Sequence, residues 1–211
     1  MKFFVLFFLF IFPLTGFSQK KDSSSSDYGL YIGGGYSTVA DSGTGSEMLT
    51  GPAYGAVLGY RWVSWGLELG YSKFDLASEP GVANPIFGAP QIRIDKAELK
   101  ANSFDIILKY YFWRFFTLGL GYSKVSGKHD FRFSSLSDPT DIYIVKGESD
   151  YTGAIIQAGI VLPLFRFLDF RFLYEARGWS NDEEWDSDAP VSEPLGGSFQ
   201  QFTGQIIYYF N

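Results

Sequence analysis

The chain of 211 residues has no cysteine, one histidine and two methionines. With no thiol there is no disulfide framework, no thiolate nucleophile and no cysteine metal site, and a single histidine removes most of the remaining metal and nucleophile chemistry. Beyond its first residues the chain also lacks any continuous apolar run near the ~20 residues of a spanning helix. Yet 46% of its residues are hydrophobic and 19% aromatic, at a mean hydropathy of zero. Apolar residues this abundant and never continuous must alternate with polar ones.

The start, MKFFVLFFLFIFPLTGFSQ, has a basic Lys2, an apolar run from Phe3 to Phe12 and small residues Gly16 and Ser18. It reads as a secretory signal peptide over 1–18, cleaved after Ser18, and is too short for a transmembrane anchor. A polar segment over 19–27 would precede a single β domain over 28–211. Loss of Lys2 lowers the 17 Lys and Arg to 16 against 23 Asp and Glu, a net charge of −7 that argues against nucleic acid as a partner.

Read with a period of two, the mature chain yields eight strands. In WGLELGYSKF, Trp65, Leu67, Leu69 and Tyr71 oppose Gly66, Glu68, Gly70 and Ser72; in LDFRFLYEARG, Leu168, Phe170, Phe172 and Tyr174 oppose Asp169, Arg171, Glu175 and Arg177. The same alternation runs through YGLYIGGGYS, PAYGAVLGYRW, NSFDIILKYYF, FTLGLGYS, YTGAIIQAGIVL and FTGQIIYYFN, with Tyr31 on the wrong parity. Tight turns near WVSW, FWRFF and PLFRF alternate with longer polar loops, which predicts an even-stranded antiparallel up-and-down barrel with both termini on the short-turn side. An outer face this apolar suits a bilayer, where only a sheet closed on itself leaves no edge in lipid. Aromatics gather at two heights, as interfacial girdles do: Tyr60, Trp62, Trp65, Tyr110, Phe112, Trp113, Phe115, Phe116, Phe165 and Phe167 at the short turns, and Tyr36, Tyr54, Tyr71, Phe104, Tyr122 and Tyr174 towards the long loops. A soluble lipocalin-type barrel is the rival, and the Gly and Ser of the second parity speak against it as a water-facing surface.

This pattern resembles the eight-stranded outer-membrane barrels of Gram-negative bacteria, the OmpX type and the membrane domain of OmpA, over the whole mature chain. The most specific element is the last strand, where Phe202, Ile206, Tyr208 and Phe210 alternate up to a terminal aromatic. The resemblance implies an outer-membrane location, lipid and lipopolysaccharide as surroundings, a monomer, and a terminal strand read by the barrel-assembly machinery. The GFSQ cleavage region is similar to those of Bacteroidota proteins.

An eight-stranded barrel is just wide enough to be filled by its own side chains. The inward parity carries Arg61, Lys109, Arg171 and Arg177 against Glu68, Asp105, Asp169 and Glu175. The balance predicts a paired, plug-like network with Glu68 and Lys109 as partners; a charged lining for a narrow solute or ion channel is the alternative. No cofactor and no enzyme activity is expected, since His129 and Asp130 lack a third catalytic partner and His129 reads as a solvated loop residue. Phe131 and Phe133 before the turn signature Asp138, Pro139 and Asp141, with Ile142 and Ile144 after it, predict a hairpin prolonging the sheet. Ile92 and Ile94 prolong its neighbour. The segment 124–150 thereby becomes the candidate for capturing a surface protein by strand addition. Asp182, Glu183, Glu184, Asp186 and Asp188 read as a solvated acidic loop, with calcium binding as the alternative.

Overall fold

A computed structural model describes residues 29–41, 49–78, 81–83, 92–112, 115–136, 138–140, 142–181 and 198–210. The proposed signal peptide, the segment 19–27, Tyr28, Trp113 and the acidic loop lie outside these residues.

The alternating stretches form nine antiparallel strands: β1 Gly29–Asp41, β2 Thr50–Trp62, β3 Trp65–Ser78, β4 Gly81–Ala83, β5 Ile92–Phe112, β6 Phe116–Ser135, β7 Ile142–Phe165, β8 Leu168–Asn181 and β9 Ser198–Tyr209. Eight of them close into a barrel. Each strand pairs with its neighbour in sequence, β3 pairs with β5, and β1 pairs with β9 from Tyr31↔Tyr209 to Asp41↔Phe199. The ninth, β4, is a three-residue strand outside the ring, paired with the far end of β5. Among the described residues no helix is long and apolar enough to cross a membrane.

Tight turns at residues 63–64 and 166–167 close one end of the barrel, where Phe112 of β5 also faces Phe116 of β6. Between the facing pair Trp62↔Trp65, Val63 has a φ of 48°, a conformation that β-branched residues adopt only under strain. At the other end β5, β6 and β7 run far past the ring as strands of 21, 20 and 24 residues. These extensions absorb the hairpin around Asp138 and its neighbour at Ile94, and Thr140 caps the turn by donating to Asp138 Oδ1 from its amide (3.0 Å) and its hydroxyl (2.6 Å).

Over the ring proper the outward side chains are apolar: Leu67, Leu69, Ile106, Leu108, Leu118, Leu120, Phe172 and Ile206 are all exposed. The aromatic levels bracket this belt. On the far side Tyr71 meets Phe104 at 5.1 Å and Tyr174 meets Phe202 at 5.2 Å between ring centroids; on the turn side Trp65 meets Tyr110 at 4.8 Å and Tyr208 meets Phe210 at 5.4 Å.

One step above the far girdle both faces change character. Outward, Tyr71 gives way to Lys73, Tyr122 to Lys124 and Phe104 to Asn102. Inward, the polar parity becomes apolar at Phe74, Leu76, Leu99, Val125 and Phe199, all no more than 1% exposed. At this switch the strand period is unbroken; hydrophobicity changes sides. The lower half of the barrel is apolar outside and polar inside, and the upper part is built like a water-soluble sheet with a dry core.

Candidate functional site

The interior below the dry core holds every inward charge identified from the sequence: Arg61, Glu68, Asp105, Lys109, Asp169, Arg171, Glu175 and Arg177 are all buried, five of them at 0–2% exposure on β3, β5 and β8. They reach the lumen because each stands on the parity opposite the belt.

Two triads organise them. Nearer the short turns, Glu68 of β3 is held between Lys109 Nζ at 2.6 Å and Arg171 Nη1 at 2.9 Å, and accepts a hydrogen bond from the Tyr31 hydroxyl at 2.8 Å. Arg171 also donates to the Tyr209 hydroxyl at 3.1 Å and lies 4.7 Å from the Tyr31 ring centroid. Arg61 stacks 4.0 Å over Tyr111 beside them. Nearer the dry core, Arg177 grips Asp105 through both terminal nitrogens, at 3.1 and 3.0 Å, and donates to Glu175 Oε2 at 2.9 Å. Ser123 donates to Asp105 Oδ1 at 2.7 Å, and Thr203 donates to Glu175 Oε1 at 3.2 Å while meeting Ser37 at 2.8 Å.

The first triad has two cations and one anion; the second has two anions and one cation. Each carries one uncompensated charge, of opposite sign, so the layer is neutral as a whole. The bidentate Arg177–Asp105 contact, the single guanidinium bonds to Glu68 and Glu175, and the Tyr31 hydroxyl supply the hydrogen bonds that buried charges need in place of water.

Tyr31, the residue that broke the sequence alternation, belongs to this site. Its ring lies inward over Gly59, where a side chain on Gly59 would collide with it, and its hydroxyl binds Glu68. Tyr111 and Tyr209 are also inward and buried. The dry core was not anticipated, although the sequence marks it in Lys73-Phe74 and Lys124-Val125, where the apolar parity switches.

His129 requires a correction. It stands in β6, not in a loop, and is 8% exposed, stacked on Phe131 with centroids 5.5 Å apart, its ring against the backbone of Gly147. Burial pushes its pKa below the usual histidine range. The adjoining Asp130 points to the outer face, where the hydrogen bond from Lys96 at 2.8 Å, with Lys146 at 3.3 Å, holds its carboxyl below the ordinary value. Neighbours in sequence thus face opposite environments, and among the described residues no group of three or more metal-ligating side chains assembles.

No family model and no curated protein matches the chain. Among solved structures it is similar to Ail, the attachment invasion locus protein of Yersinia pestis (17% identity over 86% of this chain and 99% of that one, TM-score 0.48). It is similar also to Neisserial surface protein A (11%, 86% and 97%, TM-score 0.49) and to the outer membrane protein OprG of Pseudomonas aeruginosa (14%, 87% and 96%, TM-score 0.47). What the interior can do chemically follows from its own geometry: it can hold charge in place.

Proposed function

We propose that the chain is an integral outer-membrane barrel with a sealed interior, a non-enzymatic scaffold that displays the sheet formed by β5, β6 and β7 at the cell surface. The change of hydrophobic side at the far girdle carries this reading. Below it an apolar exterior needs lipid, and above it an apolar interior needs water outside. Tyr54 to Trp62 on β2, and Phe202 on β9 to Phe210 just past its end, each span eight residue steps of ~3.3 Å, or ~20 Å of height at a tilt of ~40°. The rings at either end fill this out towards the ~25 Å band of such barrels. On the outward parity of the last strand, Phe202, Ile206, Tyr208 and Phe210 are exposed and available as the assembly signal.

Sealing rests on the two ion triads with the dry core stacked above them. An ion crossing this barrel would have to break buried pairs and then enter a layer lined mainly by apolar side chains such as Phe74, Leu76, Leu99, Val125 and Phe199, which costs several kcal/mol at each stage. Purified chain inserted into planar bilayers is expected to show no stable conductance step. Reproducible ion-selective steps would establish the narrow-channel alternative instead.

A recognition role is favoured by one further observation. From Ile142 to Asp150, β7 is paired with β6 on one side, and β8 reaches it only at Asn181↔Tyr151. Among the described residues no strand pairs with its other side. Ile142 and Ile144 are exposed on this edge at 43% and 58%, where soluble proteins place guarding charges. An extended segment of another surface protein would add here as a strand, with alternate apolar residues against the two isoleucines. Deleting residues 128–146 is expected to abolish adhesion of expressing cells to immobilised surface proteins while the barrel still inserts; unchanged adhesion would refute this role.

A further inference from the structure

The outer wall carries a second feature that neither the charge network nor the protruding sheet uses. Where β1 meets β2 and β9, a groove of about 490 Å³ opens on the outside of the barrel. Tyr36 and Phe202 form its lower walls, Pro52 its flank, and Thr38, Thr50 and Gln200 its upper rim. Directly below, the outward positions shrink: Gly34 of β1 stands opposite Ala56 of β2, and Gly204 of β9 opposite Tyr36. The groove therefore continues downward as a furrow between Ile32, Ile206 and Phe172, all exposed apolar residues of the belt.

The two glycines of the furrow differ from those facing inward. A Cβ on Gly33, Gly35 or Gly159 would strike a neighbouring side chain or carbonyl, so packing demands glycine there. A Cβ on Gly34 would meet only a backbone oxygen at 3.7 Å, and one on Gly204 only the Phe170 ring at 3.5 Å, both ordinary contacts. Packing leaves room for larger residues at both positions, and glycine costs strand stability. Glycine in a strand also marks places where a ligand lies against the backbone.

The lining fixes the ligand's chemistry. It contains no charged residue, whereas the lysines just above the far girdle, Lys73 and Lys124, stand on β3 and β6. From bottom to top the surface passes from glycine backbone, aliphatic side chains and the rings of Phe170 and Phe172, through the rings of Tyr36 and Phe202, to hydroxyls and an amide. That order matches a hydrocarbon chain ending in an uncharged ester or amide at the membrane–water boundary. The furrow is continuous with the lipid-facing belt, so the ligand comes from the bilayer.

We propose that this groove and furrow bind one acyl chain of a membrane lipid, its carbonyl region held by Thr38, Thr50 and Gln200 and its chain lying along Gly34 and Gly204. The proposal rests on the membrane reading above, and flotation with phosphatidylethanolamine vesicles tests that reading separately: a chain that fails to float refutes both. For the inserted protein, a phosphatidylethanolamine carrying a diazirine near the middle of one acyl chain is photolysed and the adducts are mapped. Adducts concentrated on β1 and β9 are expected, and adducts spread evenly around the belt would overturn the site. Native mass spectrometry of protein released from these vesicles should show one retained lipid. The fraction carrying it should fall severalfold in Gly34→Leu/Gly204→Leu and stay unchanged in Ala154→Leu, on β7, two strands beyond β9. Equal retention in all three proteins would also overturn the proposal, and the photolabelling of the unmodified chain decides the matter if the double variant fails to fold.

Discussion

Glu68→Gln is expected to destabilise the barrel by about 3–5 kcal/mol, the cost of leaving buried charge without its partner. Glu68 is fully buried and pairs with both Lys109 and Arg171, at 2.6 and 2.9 Å. A glutamine keeps the size and one acceptor but leaves two cations in the lumen without countercharge. Arg177→Met should act in mirror image, stranding Asp105 and Glu175. The same chemistry at the surface should hardly register: Lys124 and Asp150 lie 3.8 Å apart with side chains about 60% exposed, and pairs of that kind contribute at most about 1 kcal/mol. Urea unfolding of the lipid-inserted protein, followed by tryptophan fluorescence, compares these variants with Lys124→Gln. If Glu68→Gln and Lys124→Gln shift the midpoint equally, the triad does not hold the barrel. Replacing Glu68, Lys109 and Arg171 together by apolar residues of similar volume should recover most of the loss, because a buried ion cluster and a packed apolar one differ little in stability.

Gly59→Val should impair the barrel through shape alone. Its side chain would occupy the space of the Tyr31 ring, which lies within 2.7 Å of the Cβ position at Cε2 and closer at Cζ and the hydroxyl. Tyr31 is 0% exposed, with Val57, Ile207 and Tyr209 packed around it, so its ring cannot move aside without disturbing the Glu68 triad. Overpacking of this kind costs about 1–3 kcal/mol, and loss of the Tyr31–Glu68 hydrogen bond adds about 1 kcal/mol. Gly204→Ala, on the outer wall, is the matched control: it meets only the Phe170 ring at 3.5 Å and should leave stability unchanged. Heat-dependent gel mobility, which separates folded from unfolded barrels, reads both. Combining Tyr31→Ala with Gly59→Val should restore room for the valine without restoring the hydrogen bond, so recovery should be partial. Full-strength folding of Gly59→Val alone would show that the ring is not confined.

Much of this architecture was legible because a strand's alternation is a local property. Leu67, Leu69 and Tyr71 could be assigned outward and Glu68 inward from a window of seven residues, and the tight turns follow from runs such as WVSW. His129 is hard to place from sequence, because GKHDF looks like a loop. The strand continues through it because β5 and β7 pair on both sides, and those partners lie roughly 20 to 30 residues away in sequence. The dry core escaped for a related reason: the parity switch at Lys73-Phe74 resembles the end of a strand unless neighbouring strands are seen to switch at the same height.

The sequence by itself determined that the chain forms antiparallel strands, which charged side chains face the lumen below the far girdle, and that those charges balance, since all three depend only on a two-residue period and a count. Tertiary structure decided which charges meet. Arg171 binds Glu68 across 103 residues and Arg177 binds Asp105 across 72. Those partners face each other across the lumen, and the stagger with which β1 closes on β9 sets which rows come level. That stagger belongs to the closed ring as a whole, and no single strand encodes it.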